Sequence, residues 1–65
     1  MTKFIELTGY FIGYANNLKK RFININHIVY IESNPSNPEE TYLQIEHCGT
    51  LVINKKVSLI LEILN

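Results

Sequence analysis

The architecture predicted for this chain rests on one stretch, Phe22-Ile23-Asn24-Ile25-Asn26-His27-Ile28-Val29-Tyr30-Ile31-Glu32. Both of its ends are rich in β-branched and aromatic residues, which favour strands. In its middle, Asn26 is a suitable helix N-cap because its side-chain oxygen can accept a hydrogen bond from an unpaired backbone N–H. The stretch therefore predicts a strand over 20–25, a single helical or 3₁₀ turn, and a second strand over 29–33.

Three more strands are predicted around this corner. Residues 2–8 alternate between polar and apolar side chains, which indicates a first strand. Residues 41–47 and 50–54 are rich in strand-forming residues and are separated by the turn signal Cys48-Gly49. This arrangement is typical of a β-hairpin.

Two segments are predicted to be connections. Residues 34–40 contain both prolines, and each proline disfavours helix in the residue before it. Residues 9–18 contain two glycines and an Asn pair, which are turn signals. The aromatic residues Tyr10, Phe11 and Tyr14 of this second segment either line a ligand groove or an interface, or cover a thin core.

The C-terminal segment predicts a helix that begins after an Asn54 cap and has little polar surface. Its polar residues Lys55, Ser58, Glu62 and Asn65 fall on one face, and most other positions from Val57 onward are apolar. Either the domain's own core encloses this helix, or part of it meets a second chain. We favour the second alternative, and the hypothetical dimer interface consists of Val57, Ile60, Leu61 and Leu64.

Size and composition indicate one small domain over residues 1–65 that needs additional stabilisation. A chain this short buries only about 60% of the surface that its unfolded form exposes. Cys48 is the only cysteine, so no disulfide can form within the chain, and association between chains is the remaining means of stabilisation. We therefore expect an α+β fold, with a small twisted, mostly antiparallel sheet of four or five strands and one C-terminal helix packed on it, in a homodimer.

Charge and hydropathy exclude several classes of partner. The formal net charge of +0 argues against non-specific binding of nucleic acid and against a polybasic membrane patch. The longest apolar run is far shorter than the about 20 residues that cross a bilayer. The first residues enter a strand pattern directly, so no signal peptide is expected, and a single free cysteine fits a reducing, cytoplasmic compartment. The abundance of Asn, Ile and Lys fits an AT-rich, bacterial coding sequence.

No catalytic, cofactor-binding or metal-binding residue is expected. His27, His47 and Cys48 are the available soft-metal ligands, but a structural zinc site needs four ligands at short paired spacings. His47 and Cys48 are adjacent in a predicted strand and should point to opposite faces. The three glycines are isolated, so no phosphate-binding loop is predicted. We therefore expect no enzymatic activity and no small-molecule substrate.

One cluster of basic residues leaves nucleic acid open as a partner. Lys19, Lys20 and Arg21 lie next to aromatic residues, and such clusters can hold single-stranded nucleic acid by charge and stacking. Alternatively, the same residues protect a sheet edge against pairing with other chains. The second reading is favoured.

The order of these patterns resembles the FlbD-like family of short bacterial proteins. The resemblance rests on Ile23-Asn24-Ile25-Asn26-His27-Ile28-Val29-Tyr30-Ile31-Glu32, Thr41-Tyr42-Leu43-Gln44-Ile45, Leu51-Val52-Ile53 and the C-terminal helix, with Lys3-Phe4-Ile5-Glu6-Leu7-Thr8 as a first strand. It covers nearly the whole chain, although residues 9–18 expand the family's usual short first hairpin. The resemblance implies a small sheet-plus-helix fold and a regulatory or assembly role.

A narrower resemblance is to the first half of the LytTR DNA-binding domain. Ile25, Ile28 and the run Tyr30-Ile31-Glu32-Ser33 match a corner of that domain. The chain ends where that domain continues with a segment that helps to bind DNA, so no DNA-contacting residue is carried over. The two predicted functions are therefore a non-enzymatic protein-interaction module that acts as a homodimer and, as the alternative, a small DNA-binding transcription regulator.

Overall fold

The computed structural model describes residues 3–13 and 18–65. Within these residues, five strands form one antiparallel sheet in the order β2-β1-β5-β4-β3. The elements in chain order are β1 (Phe4–Phe11), β2 (Lys19–Asn24), a 3₁₀ helix (Ile25–His27), β3 (Ile28–Asn34), β4 (Asn37–Ile45), β5 (Gly49–Ile53) and α1 (Val57–Leu64). The predicted α+β class, with one C-terminal helix on a small antiparallel sheet, is confirmed.

Gly9 is the residue at which β1 changes its partner strand. Residues 4–9 pair with β2, whereas residues 9–11 pair with β5, so that Gly9 lies opposite both Lys19 and Ile53. A Cβ atom at Gly9 would overlap the carbonyl oxygen of Val52 on β5. The close approach of the two backbones explains why a glycine stands inside a strand.

The predicted connection over 9–18 is therefore wrong in its first part, because β1 continues to Phe11. Tyr10 pairs with Val52 in β5, and Phe11 packs against the hydrophobic core. The prediction took Gly9 as the end of a strand. Gly9 instead lies inside β1, where the close approach of β5 requires a glycine. Tyr14 lies outside the described residues.

The hydrophobic core lies between one face of the sheet and α1. Phe11, Ile25, Ile28, Ile31 and Leu64 are partly buried against it. Its buried members are Ile5, Leu7, Ile23, Leu43, Ile45, Leu51, Ile53 and Ile60. Three of the five strands contribute at least two of these side chains, so the sheet and the helix depend on each other for burial.

The corner between β2 and β3 is a single 3₁₀ turn, as predicted, but its cap is Asn24 instead of Asn26. The Asn24 backbone is extended, and the Asn24 side chain accepts a hydrogen bond from the Asn26 N–H at 2.9 Å. The prediction chose the wrong one of two asparagines two residues apart, because both can supply the same oxygen.

The predicted loop over 34–40 is mostly strand. β3 reaches Asn34 and β4 begins at Asn37, so Pro35 and Ser36 alone connect them. The Asn34 side chain closes this turn by accepting from the Ser36 N–H at 2.9 Å. Pro38 is tolerated because pairing between β4 and β5 begins only at Thr41, beyond the position where its N–H is missing.

The predicted hairpin of β4 and β5 is present, but β4 ends at Ile45 and not at His47. His47 has a φ of 65°, and Gly49 has a φ of 103°. Both residues belong to the left-handed region that tight turns require. His47 and Cys48 therefore lie in a turn, where side chains do not alternate between two faces as they would in the predicted strand.

Helix α1 begins two residues later than an Asn54 cap predicts. Lys56 occupies the N-cap and makes no side-chain capping bond. Just before it, the carbonyl oxygen of Lys55 accepts a hydrogen bond from the hydroxyl of Thr41 at 2.7 Å. Thr41 is completely buried, so this bond fixes the start of the helix to β4.

We expect Thr41→Val to lower the free energy of unfolding by about 1–3 kcal/mol, because it leaves the Lys55 carbonyl without its donor. Urea denaturation of the variant measures this change. Thr41→Ser is the matched control, since it keeps the hydroxyl and loses one methyl group. A valine variant that is as stable as the wild type would show that the hydrogen bond contributes nothing.

Candidate binding surfaces

Helix α1 uses most of its predicted interface residues within its own chain. Ile60 is completely buried, and Leu64 packs against the core. Val57 is half-buried, whereas Leu61 is 48% exposed. Of the four residues predicted to form a dimer interface, Leu61 alone is largely accessible to a second chain.

The exposed apolar residues of α1 do not form one continuous face. At 100° per residue, Leu59 and Ile63 lie on one flank of the helix and Leu61 lies on the other. The polar residues Ser58 and Glu62 separate the two flanks and are exposed, as the sequence predicts. A flat partner surface could therefore cover one flank of the helix but not both.

The basic residues of β2 are mostly engaged by β1. Lys20 forms an ion pair with Glu6 at 3.1 Å. Arg21 is half-buried, its Nε donates to the Gly9 carbonyl oxygen at 3.3 Å, and its guanidinium carbon lies 4.8 Å from the centroid of the Phe11 ring. Because side chains alternate along a strand, Lys20 also points away from the face that carries Lys19 and Arg21.

The free edge of β3 carries a run of apolar side chains. β3 is the last strand of the sheet, with β4 on one side only. Val29 is 58% exposed and Tyr30 is 51% exposed, while Ile28 and Ile31 on either side are half-buried. Tyr30 to Ser33 pair regularly with β4, and the irregularities of the ladder lie before and after them.

A cavity of about 350 Å³ is a further candidate binding surface. It lies between β1, β2, the 3₁₀ turn and the turn that joins β4 to β5. Phe22 is 67% exposed and Phe4 is 58% exposed, which is unusual for phenylalanine. The apolar part of its lining is formed by Phe4, Phe11, Phe22, Ile23 and Ile45.

The polar part of the lining brings together residues that are far apart in the sequence. The Oε1 atom of Glu46 lies 3.3 Å from Nδ1 of His27 and 3.9 Å from Nε2 of His47. Cys48 and Asn24 complete this polar side. Among the residues that the structure describes, no three His, Cys, Asp or Glu side chains are arranged to hold a metal ion.

Local sequence patterns do not predict this cavity. Its residues come from four separate segments, and only the twist of the sheet and the tight corner bring them together. The one available signal was the pair of phenylalanines at Phe4 and Phe22, which cross-strand register places as diagonal neighbours on one face of β1 and β2.

No described helix has both the length and the apolar character needed to span a membrane. Comparison of the chain with protein-family models, curated proteins and solved structures found no match. The resemblances to the FlbD-like family and to the LytTR domain therefore remain predictions from the sequence.

Proposed function

We propose that this protein is a non-enzymatic interaction module that acts as a homodimer, and that the two copies pair through the free edges of their β3 strands. The observation that supports this most directly is the run from Ile28 to Ile31 at a sheet edge, with Val29 and Tyr30 more than half exposed. An exposed edge strand with apolar side chains is a ready template for pairing with another strand. Main-chain hydrogen bonds supply affinity in such strand addition.

The two edges of the sheet differ in how they are protected. β2, at one edge, carries Lys19, Lys20 and Arg21 in succession, and basic side chains at an edge oppose pairing with other chains. β3, at the other edge, contains neither lysine, arginine nor proline. This contrast favours β3 as the edge that is used.

Charge also favours a second copy as the partner of β3. When two β3 strands pair antiparallel with full overlap from Ile28 to Asn34, Ile31 lies opposite its own copy. Glu32, the only acidic residue of the strand, then lies opposite Tyr30 of the other copy. No like charges face each other in this register, whereas like charges directly opposite destabilise a sheet.

The expected result is a solution mass of twice the 7.6 kDa chain in light scattering after gel filtration. Tyr30→Glu places a carboxylate directly opposite Glu32 of the other copy, and since like charges in that position destabilise a sheet, the variant should be a folded monomer. Phe4→Glu is the matched control, because it places the same charge on a similarly exposed aromatic residue of β1, away from β3, and should leave the dimer intact.

A folded wild-type monomer at micromolar concentration would overturn the proposal of a homodimer. A dimer that both variants leave unchanged would place the interface elsewhere, and Leu61 on α1 would be the next position to test. If the wild type is a monomer that binds a different protein through β3, then the proposal of an interaction module stands and the proposal of a homodimer fails.

The alternative of a DNA-binding regulator has less support, because Lys20 and Arg21 already bind groups on β1. It predicts retention on DNA that weakens steeply as the salt concentration rises.

A further inference from the structure

We infer that the cavity beside Phe4 and Phe22 binds the guanidinium group of an arginine side chain on a partner protein. This inference does not depend on pairing through β3, since the cavity is formed by β1, β2 and the turns. Its volume of about 350 Å³ falls in the range of natural ligand sites, which are lined mainly by apolar and aromatic side chains with few polar groups.

Aromatic rings and a carboxylate together favour a cation as the occupant. The faces of phenylalanine rings attract cations through the ring quadrupole, and three rings line this cavity. Glu46 is the one carboxylate among the described residues that line the cavity. The site therefore offers a negative group next to aromatic surface, which complements a positive group that is weakly hydrated.

Arginine fits this combination better than lysine does. A guanidinium group is planar, stacks on aromatic rings and donates several hydrogen bonds to a carboxylate, whereas an ammonium group is compact and strongly hydrated. The same protein already shows such packing, because the Arg21 guanidinium lies over Phe11 at 4.8 Å.

The Glu46 carboxylate has capacity for this additional partner. Its contacts to His27 and His47 are long, at 3.3 and 3.9 Å, and both involve the same oxygen, Oε1. A carboxylate has about four lone-pair positions on its two oxygens. Glu46 is half exposed, so an incoming guanidinium can reach it from the opening of the cavity.

The test is an NMR titration of the protein with N-acetyl-arginine amide and with N-acetyl-citrulline amide, its neutral isostere. Arginine is expected to bind with a dissociation constant in the millimolar range and to shift the amide signals of Phe22 and Glu46. Citrulline should bind at least about fivefold more weakly than arginine, because it keeps the shape of arginine and loses the charge.

Two single substitutions test which groups hold the cation. Phe22→Ala and Glu46→Gln should each weaken arginine binding by about two- to fivefold. Leu59→Ala is the control, since it removes an exposed apolar side chain outside both the cavity and β3 and should leave arginine binding unchanged. A double variant that carries both Phe4→Ala and Phe22→Ala removes the two exposed rings. Equal binding of arginine and citrulline, or unchanged arginine binding by this double variant, would overturn the inference.

Discussion

Gly9→Ala is expected to lower the free energy of unfolding by about 3 kcal/mol, because the added methyl group overlaps the backbone of β5. A 65-residue chain has a total stability of about 3–10 kcal/mol, so this loss would leave a large unfolded fraction. The overlapping atom is the Val52 carbonyl oxygen, and backbone atoms cannot rotate away as a side chain can. Relief requires β1 and β5 to separate, which also disrupts pairing at Tyr10 and Phe11.

Urea denaturation followed by circular dichroism measures this loss, and Gly49→Ala is the matched control. Gly49 has a φ of 103° with open space around its Cα, so alanine there should cost only the backbone strain of about 1–2 kcal/mol. Amide exchange should accelerate in residues 9–11 and 51–53 for the Gly9 variant alone. A Gly9 variant as stable as the wild type would show that β1 and β5 do not approach as closely as the structure indicates.

The parts of the fold that were predicted correctly depend on signals within about ten residues. The hairpin of β4 and β5 follows from two strand-forming runs around Cys48-Gly49, and the 3₁₀ corner follows from the asparagines between two apolar runs. Helix α1 follows from the spacing of its polar residues Ser58 and Glu62. Turn chemistry and side-chain periodicity act locally, so one sequence is enough to recognise them.

The parts that were missed depend on contacts between distant segments. Gly9 indicates a strand end when it is read locally, but pairing with Ile53 keeps β1 extended to Phe11. The residues around Pro38 indicate a loop, but the Asn34 side chain closes a two-residue turn and lets β4 begin at Asn37. Tertiary pairing overrides local preference at both places.

The candidate sites could be predicted even less well than the fold. The free edge at β3 follows from the strand order, which requires knowing that β1 inserts between β2 and β5. The cavity requires the corner at His27 and the turn at His47 to meet the exposed ring of Phe22. A local reading placed His47 in a strand, so it could not bring His47, Glu46 and His27 together.

Ile60→Glu is the second substitution with a large expected effect, and it should unfold the domain. Ile60 is completely buried in the core cluster, so the variant loses an apolar side chain and places an unpaired carboxylate in the core. An uncompensated buried charge alone costs about 3–5 kcal/mol, which approaches the whole stability of a chain of this size. Loss of the far-ultraviolet circular dichroism signal at room temperature measures this outcome.

Leu61→Glu, one residue further along α1, separates a structural role of the helix from a role as interface. Leu61 is 48% exposed, so the same substitution there should change the free energy of unfolding by no more than about 0.5 kcal/mol. Suppose that the Leu61 variant stays folded and dimeric while the Ile60 variant unfolds. The helix then belongs to the core of its own chain, and β3 can pair two copies without a contribution from α1. A Leu61 variant that becomes a folded monomer means that one flank of α1 meets the second chain. If Ile60→Glu also stays folded, then the new carboxylate must reach solvent. In that case α1 does not pack on the sheet as described.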